Sequence, residues 1–181
     1  MKNACRVGSL LLVLGFAVPA GARAESALAT RSLLDGKVEM LVPTSFQPMP
    51  EAQLKLKYPA EQRPTFVLSN ETGSVSLALN HTPNAMPPEE LDAAHAYFDG
   101  SFRKLYPSAV WFRSEVTTLA GRRCILLDLR TPALDTDVRN VMLGASLEGR
   151  LLLLSVNVTK ELEGEWMETI HRMIQSVVVK P

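Results

Sequence analysis

Cysteine is nearly absent. The chain has two, Cys5 in its first residues and Cys124 inside the apolar run GRRCILLDL. With one thiol beyond the start no internal disulfide can form, so stability must come from burial. Cys124 itself reads as a small buried hydrophobe, with Arg122 and Arg123 as the only argument for a reactive thiol.

A long hydrophobic run is missing too. The apolar stretch Val7 to Val18 is shorter than the roughly 20 residues a membrane-crossing helix needs. Lys2 and Arg6 precede it, Pro19 ends it and Ala22-Arg23-Ala24 follows, the layout of a secretory signal peptide cleaved after Ala24. No cysteine stands at that junction to carry a lipid. The expected divisions are a signal peptide over 1–24, an N-terminal extension over 25–35 and one domain over 36–181. The mature chain is expected to be soluble, without an anchor, and periplasmic or secreted.

A basic excess is the third absence. Lys and Arg number 19 against 19 Asp and Glu. Cleavage removes Lys2, Arg6 and Arg23, leaving 16 basic residues against the same 19 acidic ones. Phosphate contacts dominate nucleic-acid affinity, so a net charge of −3 argues against DNA and RNA as partners.

Catalytic sets are lacking as well. The histidines, His81, His95 and His171, include no i, i+4 pair that would make a helical metal site. Ser101 to Lys104 (SFRK) matches S-x-x-K without its partner motifs, and Gly144-Ala145-Ser146-Leu147-Glu148 misses the nucleophile elbow at its last position. Asp135 and Asp137 are spaced as at the start of a calcium loop, but Asn140 replaces the turn glycine and Ser146 the closing glutamate. Asp128 and Arg130 share one strand face and are expected to pair across a sheet. No cofactor is implied.

What is present is a regular alternation of strands and helices. GKVEMLVP alternates apolar and polar residues up to Pro43, a first strand. Pro50 and Pro59 bracket a short helix. In RPTFVLSNETGSVSLALNHT two apolar runs flank a polar knot, in which Asn70 and Gly73 suit turn geometry. PPEELDAAHAYFDGSFRKLYP is a helix with acids early and bases late, and Leu91, Ala94, Phe98, Phe102 and Leu105 form one stripe. Gly100 inside it implies close packing or a bend. Strands over 110–119, 123–130, 138–147 and 150–158, joined at Ala120-Gly121 and Glu148-Gly149, predict an antiparallel meander. RLLLLSVNV, apolar on both faces, is expected to be central and covered on both sides. ELEGEWMETIHRMIQSVVV closes the chain as an amphipathic helix.

That order of elements resembles the PsbP-like superfamily, also called the Mog/PsbP fold, which includes the bacterial envelope protein DcrB. The resemblance rests on the strand ending in Pro43, the Tyr58-Pro59 link, the RPTFVLSNETGSVSLAL hairpin, the PPEEL helix start, the meander and TIHRMIQSV. It implies an α+β fold, an antiparallel sheet of about six to seven strands flanked by two main helices. Members are mostly accessory or binding proteins: photosystem extrinsic subunits, a Ran-binding protein, envelope proteins and chaperone-like adaptors of type VI secretion. No residue-level functional motif carries over. The chain departs from envelope lipoproteins in lacking a lipobox cysteine and from cytosolic adaptors in having a leader.

The resulting expectation is an exported, non-enzymatic protein-binding domain of a Gram-negative bacterium, an envelope accessory, adaptor or immunity-type protein. Its partner is expected to be another envelope or secreted protein. Phe46, Met49, Tyr58 and Met86, large side chains in proline-rich loops, are the candidate contact residues. The alternative is a small-molecule or divalent-cation module, with Asp135 and Asp137 as the metal candidates. A hydrolase using Ser146 or Cys124 is the weakest reading, because neither has a base at a recognisable spacing.

Overall fold

The computed structural model describes residues 27–58, 63–133 and 135–180; the expected signal peptide and cleavage point lie outside the described residues. Strands β1 (Leu28–Leu33) and β2 (Val38–Pro43) form a hairpin, followed by β3 (Gln47–Pro48), α1 (Glu51–Lys57), β4 (Phe66–Ser69) and β5 (Val75–Ala85). A 3-10 turn at Pro88–Glu90 opens α2 (Leu91–Leu105), which leads into the meander β6 (Val110–Leu119), β7 (Arg122–Pro132), β8 (Asp137–Leu147) and β9 (Arg150–Thr159). A second such turn, Lys160–Leu162, opens α3 (Glu163–Gln175), and β10 (Val178–Val179) ends the fold. Among the described residues no helix is long and apolar enough to cross a membrane.

The architecture is α+β. A seven-stranded antiparallel sheet runs in the order β3-β4-β5-β9-β8-β7-β6, and a smaller sheet in the order β1-β2-β10. The meander forms where its sequence alternates, and its two tight links take the left-handed conformation that such hairpins favour. Ala120 and Gly121 have φ of 47° and 77°, Glu148 and Gly149 53° and 71°. The knot at Asn70 to Gly73 is a turn: Asn70 Oδ1 accepts from the Val75 amide at 3.1 Å, and the Gly73 amide donates to the Asn70 carbonyl at 3.0 Å. Lys57 donates to the Gly73 carbonyl, which ties α1 to the same turn.

Alternation along the strands sends two sets of side chains to opposite faces. Leu152, Leu154, Val156 and Val158 of β9 join Val141, Leu143 and Ala145 of β8 in the main core. The small sheet and α3 cover that face, contributing Val38, Met40 and Val42 together with Trp166, Ile170, Met173 and Ile174. The opposite face has a smaller core, in which Leu91 of α2 meets Ile125, Leu127 and Leu129 of β7.

Several expectations change here. Residues 28–33, read as part of an extension, form β1; they pair with β2, and Arg31 donates to the Phe46 carbonyl at 2.9 Å. Leu33 is buried in the main core, so this stretch folds with the rest. Gly100 neither packs closely nor breaks α2: an added Cβ would meet nothing within 4 Å, because the residue faces solvent. Leu105 continues the α2 stripe in spacing but is 67% exposed. β9 is central as expected, yet only one of its faces is fully covered, for Leu153, Ser155 and Asn157 remain half-buried.

Candidate functional site

The incompletely covered face of β9 is the floor of a groove. Strand register places its residues in rows. Asn80 of β5, Leu153 of β9, Gly144 of β8 and Ile125 of β7 lie side by side. The next row is Ala78, Ser155, Met142 and Leu127, and the one beyond is Ser76, Asn157, Asn140 and Leu129. Apart from Asn80 at its β5 edge, the floor is therefore apolar at one end and amide- and hydroxyl-bearing at the other.

Helix α2 makes one wall. It packs on β6 and β7 rather than over the sheet centre, leaving Phe98 and Phe102 half-buried along its inner flank. Polar contacts fix this position from the β6 side. Ser114 of β6 donates to Asp99 at 2.6 Å, and Arg103 donates to both Asp99 oxygens at 2.8 and 3.0 Å. Because the Ser114 hydroxyl proton is committed to Asp99, His95 Nε2, at 2.9 Å from Ser114 Oγ, carries a hydrogen and donates. The Arg103 guanidinium also lies 4.2 Å from the Trp111 ring centroid. Tyr58 and Pro64 stand on the other side.

The groove encloses about 500 Å³, within the range of sites for small organic ligands. Among the described residues none that lines it carries a formal charge. Gly144 contributes to this space, because its neighbours on the same face of β8, Asn140 and Met142, bear side chains. A Cβ at position 144 would meet Ile125 Cβ at 3.5 Å and Leu153 Cδ2 at 3.7 Å, so a larger residue would extend into the groove.

At the polar end Asn157 Oδ1 accepts from Ser155 at 2.6 Å, and its Nδ2 points to the Tyr58 hydroxyl at 3.5 Å. Asn140 Nδ2 donates to Thr131 Oγ1 at 3.1 Å and to the Val138 carbonyl at 2.9 Å. Burial pushes the Tyr58 phenol above its ordinary range, with interaction first with Ser76 and then with Asn157 acting against it.

The expected contact residues fare differently. Phe46, Met49 and Met86 are all buried and do not present a surface. Phe46 packs on Trp166 with ring centroids 5.7 Å apart, Met49 joins Val67 and Ala78, and Met86 lies beside Leu91. Each proline-rich loop is short enough for its apolar side chain to fold back onto the nearest layer, where burial outweighs exposure. Tyr58 alone of the four reaches the groove.

The metal candidates do not converge. Asp135 is exposed, Asp137 accepts from Lys160 at 3.3 Å, and among the described residues no three ligating side chains cluster. Burial pushes the Lys57 ammonium down while the Asp135 charge holds it up. Ser146 and Cys124 are buried, and among the described residues no hydrogen bond joins either to a histidine. Burial holds the Cys124 thiol above its ordinary range. His81 Nε2 lies 3.1 Å from the Leu147 carbonyl, and His171 is exposed on α3.

On the opposite face Asp128 pairs across the sheet as anticipated, whereas Arg130 pairs with helix α3 instead. Arg139 of β8 grips Asp128 through two 2.8 Å bonds. Glu163, the first residue of α3, lies 3.5 Å from Arg130 and 3.7 Å from Arg139, and the Arg139 guanidinium sits 3.6 Å from the Phe112 ring centroid. This is a structural clamp between sheet and helix.

No protein-family model and no curated protein matches the chain. Solved structures do. Cyanobacterial PsbP (CyanoP) from Synechocystis superposes with a TM-score of 0.59 at 13% identity, over 92% of this chain and 98% of that one. LpqN, involved in cell envelope biogenesis of Mycobacterium tuberculosis, gives 0.53 at 13% over 86% and 91%. The Ran-binding protein Mog1p of Saccharomyces cerevisiae gives 0.50 at 13% over 86% and 96%. The chain has the PsbP/Mog1 fold. At such identities the likeness concerns the fold alone, and function must be argued from the site.

On this PsbP/Mog1 scaffold sequence reasoning missed the groove. Two signals for it were present: a glycine inside a strand at Gly144, which often marks close approach of another group, and Asn140, Ser155 and Asn157 interleaved among otherwise apolar strand residues.

Proposed function

We propose that the chain is an exported, non-catalytic binding domain of the cell envelope, and that it binds through the groove between α2 and the sheet. One observation carries this reading: a concave, uncharged volume of about 500 Å³ held between a fixed helix and a sheet floor. The signal-peptide layout and the envelope role of LpqN support the compartment. With Phe46, Met49 and Met86 in the interior, the geometry favours a small-molecule ligand over the broad protein contact the loops implied. A partner protein, as accessory, adaptor or immunity factor, retains one observation: Tyr97 and Leu105 at the groove mouth are 71% and 67% exposed.

N-phenyl-1-naphthylamine, an uncharged apolar probe that brightens on leaving water, tests this reading. Saturable one-site binding is expected. Gly144→Leu, which fills the floor, and Ser101→Trp, which crowds the mouth from an exposed helix position, should each weaken it by about tenfold or more. Absence of saturable binding, or binding that ignores both variants, would refute the proposal.

A further inference from the structure

The groove's chemistry narrows what it takes. Resting on the binding role just proposed, we infer that the ligand is an uncharged single-chain amphiphile, its polar head at Asn157, Asn140 and Tyr58 and its chain directed toward Leu153 and Phe102.

Charge is the first constraint. An ion entering this site would lose water and find no counter-charge among the described lining residues, which are apolar or neutral polar. Desolvating an unpaired charge is among the largest penalties a site can impose. Fatty carboxylates and alkylammonium ions are therefore disfavoured.

Polarity along the floor is the second constraint. The row at Leu153, Gly144 and Ile125 offers methyl and methylene surface, bounded at its β5 edge by Asn80, whose Oδ1 accepts from Thr65, whereas the row at Asn157 and Asn140 sets two amides side by side on adjacent strands. Asn140 uses its Nδ2 on Thr131 and Val138, and among the described residues no protein donor reaches its Oδ1. Asn157 uses its Oδ1 on Ser155, while its Nδ2 reaches Tyr58 only at 3.5 Å, a long contact. One acceptor and one donor thus stand ready, together with the Tyr58 hydroxyl, for a head group that both donates and accepts. A hydroxyl-bearing ester or an amide does so.

Size is the third constraint. The step from Leu153 to Asn157 is four residues of one strand, about 13 Å, room for an extended chain on the order of ten carbons. A volume of about 500 Å³ holds one such chain with a small head; a two-chain phospholipid exceeds it.

The test is displacement of bound N-phenyl-1-naphthylamine from the chain as its cells make it. Three amphiphiles of equal chain length are compared below their micelle thresholds: 1-decanoylglycerol, decanoate and decyltrimethylammonium. Decanoylglycerol is expected to displace the probe at about tenfold lower concentration than either ion. Asn157→Leu should weaken decanoylglycerol by about tenfold and Tyr58→Phe severalfold, each read as decanoylglycerol affinity relative to the probe affinity measured directly on the same variant. Equal or better displacement by either ion overturns the inference, as does indifference of decanoylglycerol to both variants. If the probe binds and no amphiphile displaces it, the inference falls while the groove stands as a binding site; if the probe itself does not bind, the broader proposal falls.

Discussion

The two faces of the seven-stranded sheet begin from similar alternation and end differently. Toward α3, Leu77, Leu143, Leu154 and Val156 are essentially inaccessible. Toward α2, residues one step along the same strands, Met142, Leu153 and Ser155, remain half open. The cause is width. Seven strands spaced a little under 5 Å span roughly 30 Å, while one helix with its side chains covers about 10 Å. On the first face the sheet β1-β2-β10 covers what α3 leaves. On the second, α2 is clipped to β6 and β7, Met49, Leu54 and Tyr58 cover Val67 of β4 and Ala78 of β5, and the strip left between them over β8 and β9 becomes the groove.

Removing one member of the clamp on the covered face should have the largest effect. Asp128 is 3% exposed and accepts both its short bonds from Arg139. Arg139→Met leaves that carboxylate buried and uncompensated, so a loss of about 3–5 kcal/mol is expected in urea unfolding. A loss below about 1 kcal/mol would mean the pair is solvated and this face less closed than described.

Neighbouring leucines on β9 give a sharper comparison, because they differ only in the face they join. Leu154→Ala, in the main core, should cost about 3 kcal/mol through lost burial and an unfilled cavity. Leu153→Ala, on the groove floor, should cost about 1 kcal/mol or less, since the side chain is already partly hydrated and its loss only enlarges an open space. Equal costs in the same unfolding assay would remove the distinction between the faces.

Much of the fold was legible because local pattern and final environment agree. The meander ends fall within a residue or two of where alternation and the Gly121 and Gly149 turns placed them, and the buried face of α3 is the one its spacing marked. Width is not a local property, and there the reading failed. The sequence of β9 shows apolar residues on both faces, but nothing in it says that α2 stands off to one side. Leu105 repeats at helical spacing yet projects beyond the sheet that half-buries Phe98 and Phe102. Phe46 and Met49 were misread for the opposite reason: loop position implied exposure, whereas the short loops return both side chains to the core. The cues that pointed at the groove, Gly144 and the amides, gain meaning only once three strands are set side by side.

The smallest expected effect concerns how each helix is held. α3 is fixed by four buried side chains that do not titrate, Trp166, Ile170, Met173 and Ile174, beside the Glu163 clamp at its first residue, whereas α2 buries only Leu91 fully and relies on Asp99 for its polar tie to β6. Hydrogen bonds from Arg103 and then Ser114 hold the Asp99 carboxyl below the usual aspartate range, the charges of Arg103 and His95 adding to the effect. A carboxylate depressed in the folded state contributes stability that is present above its unfolded value, about 3.9, and lost as pH falls through the lower folded value. Asp99 is partly exposed, so this contribution is screened and local. Acidification below about pH 4 should therefore lower amide-exchange protection along α2 while leaving α3 protected. In Asp99→Asn the protection of α2 should start lower and lose that pH dependence. If α2 and α3 instead lose protection together in the wild-type chain, one helix is not held by charge where the other is held by burial, and the groove wall is as firmly built as the core.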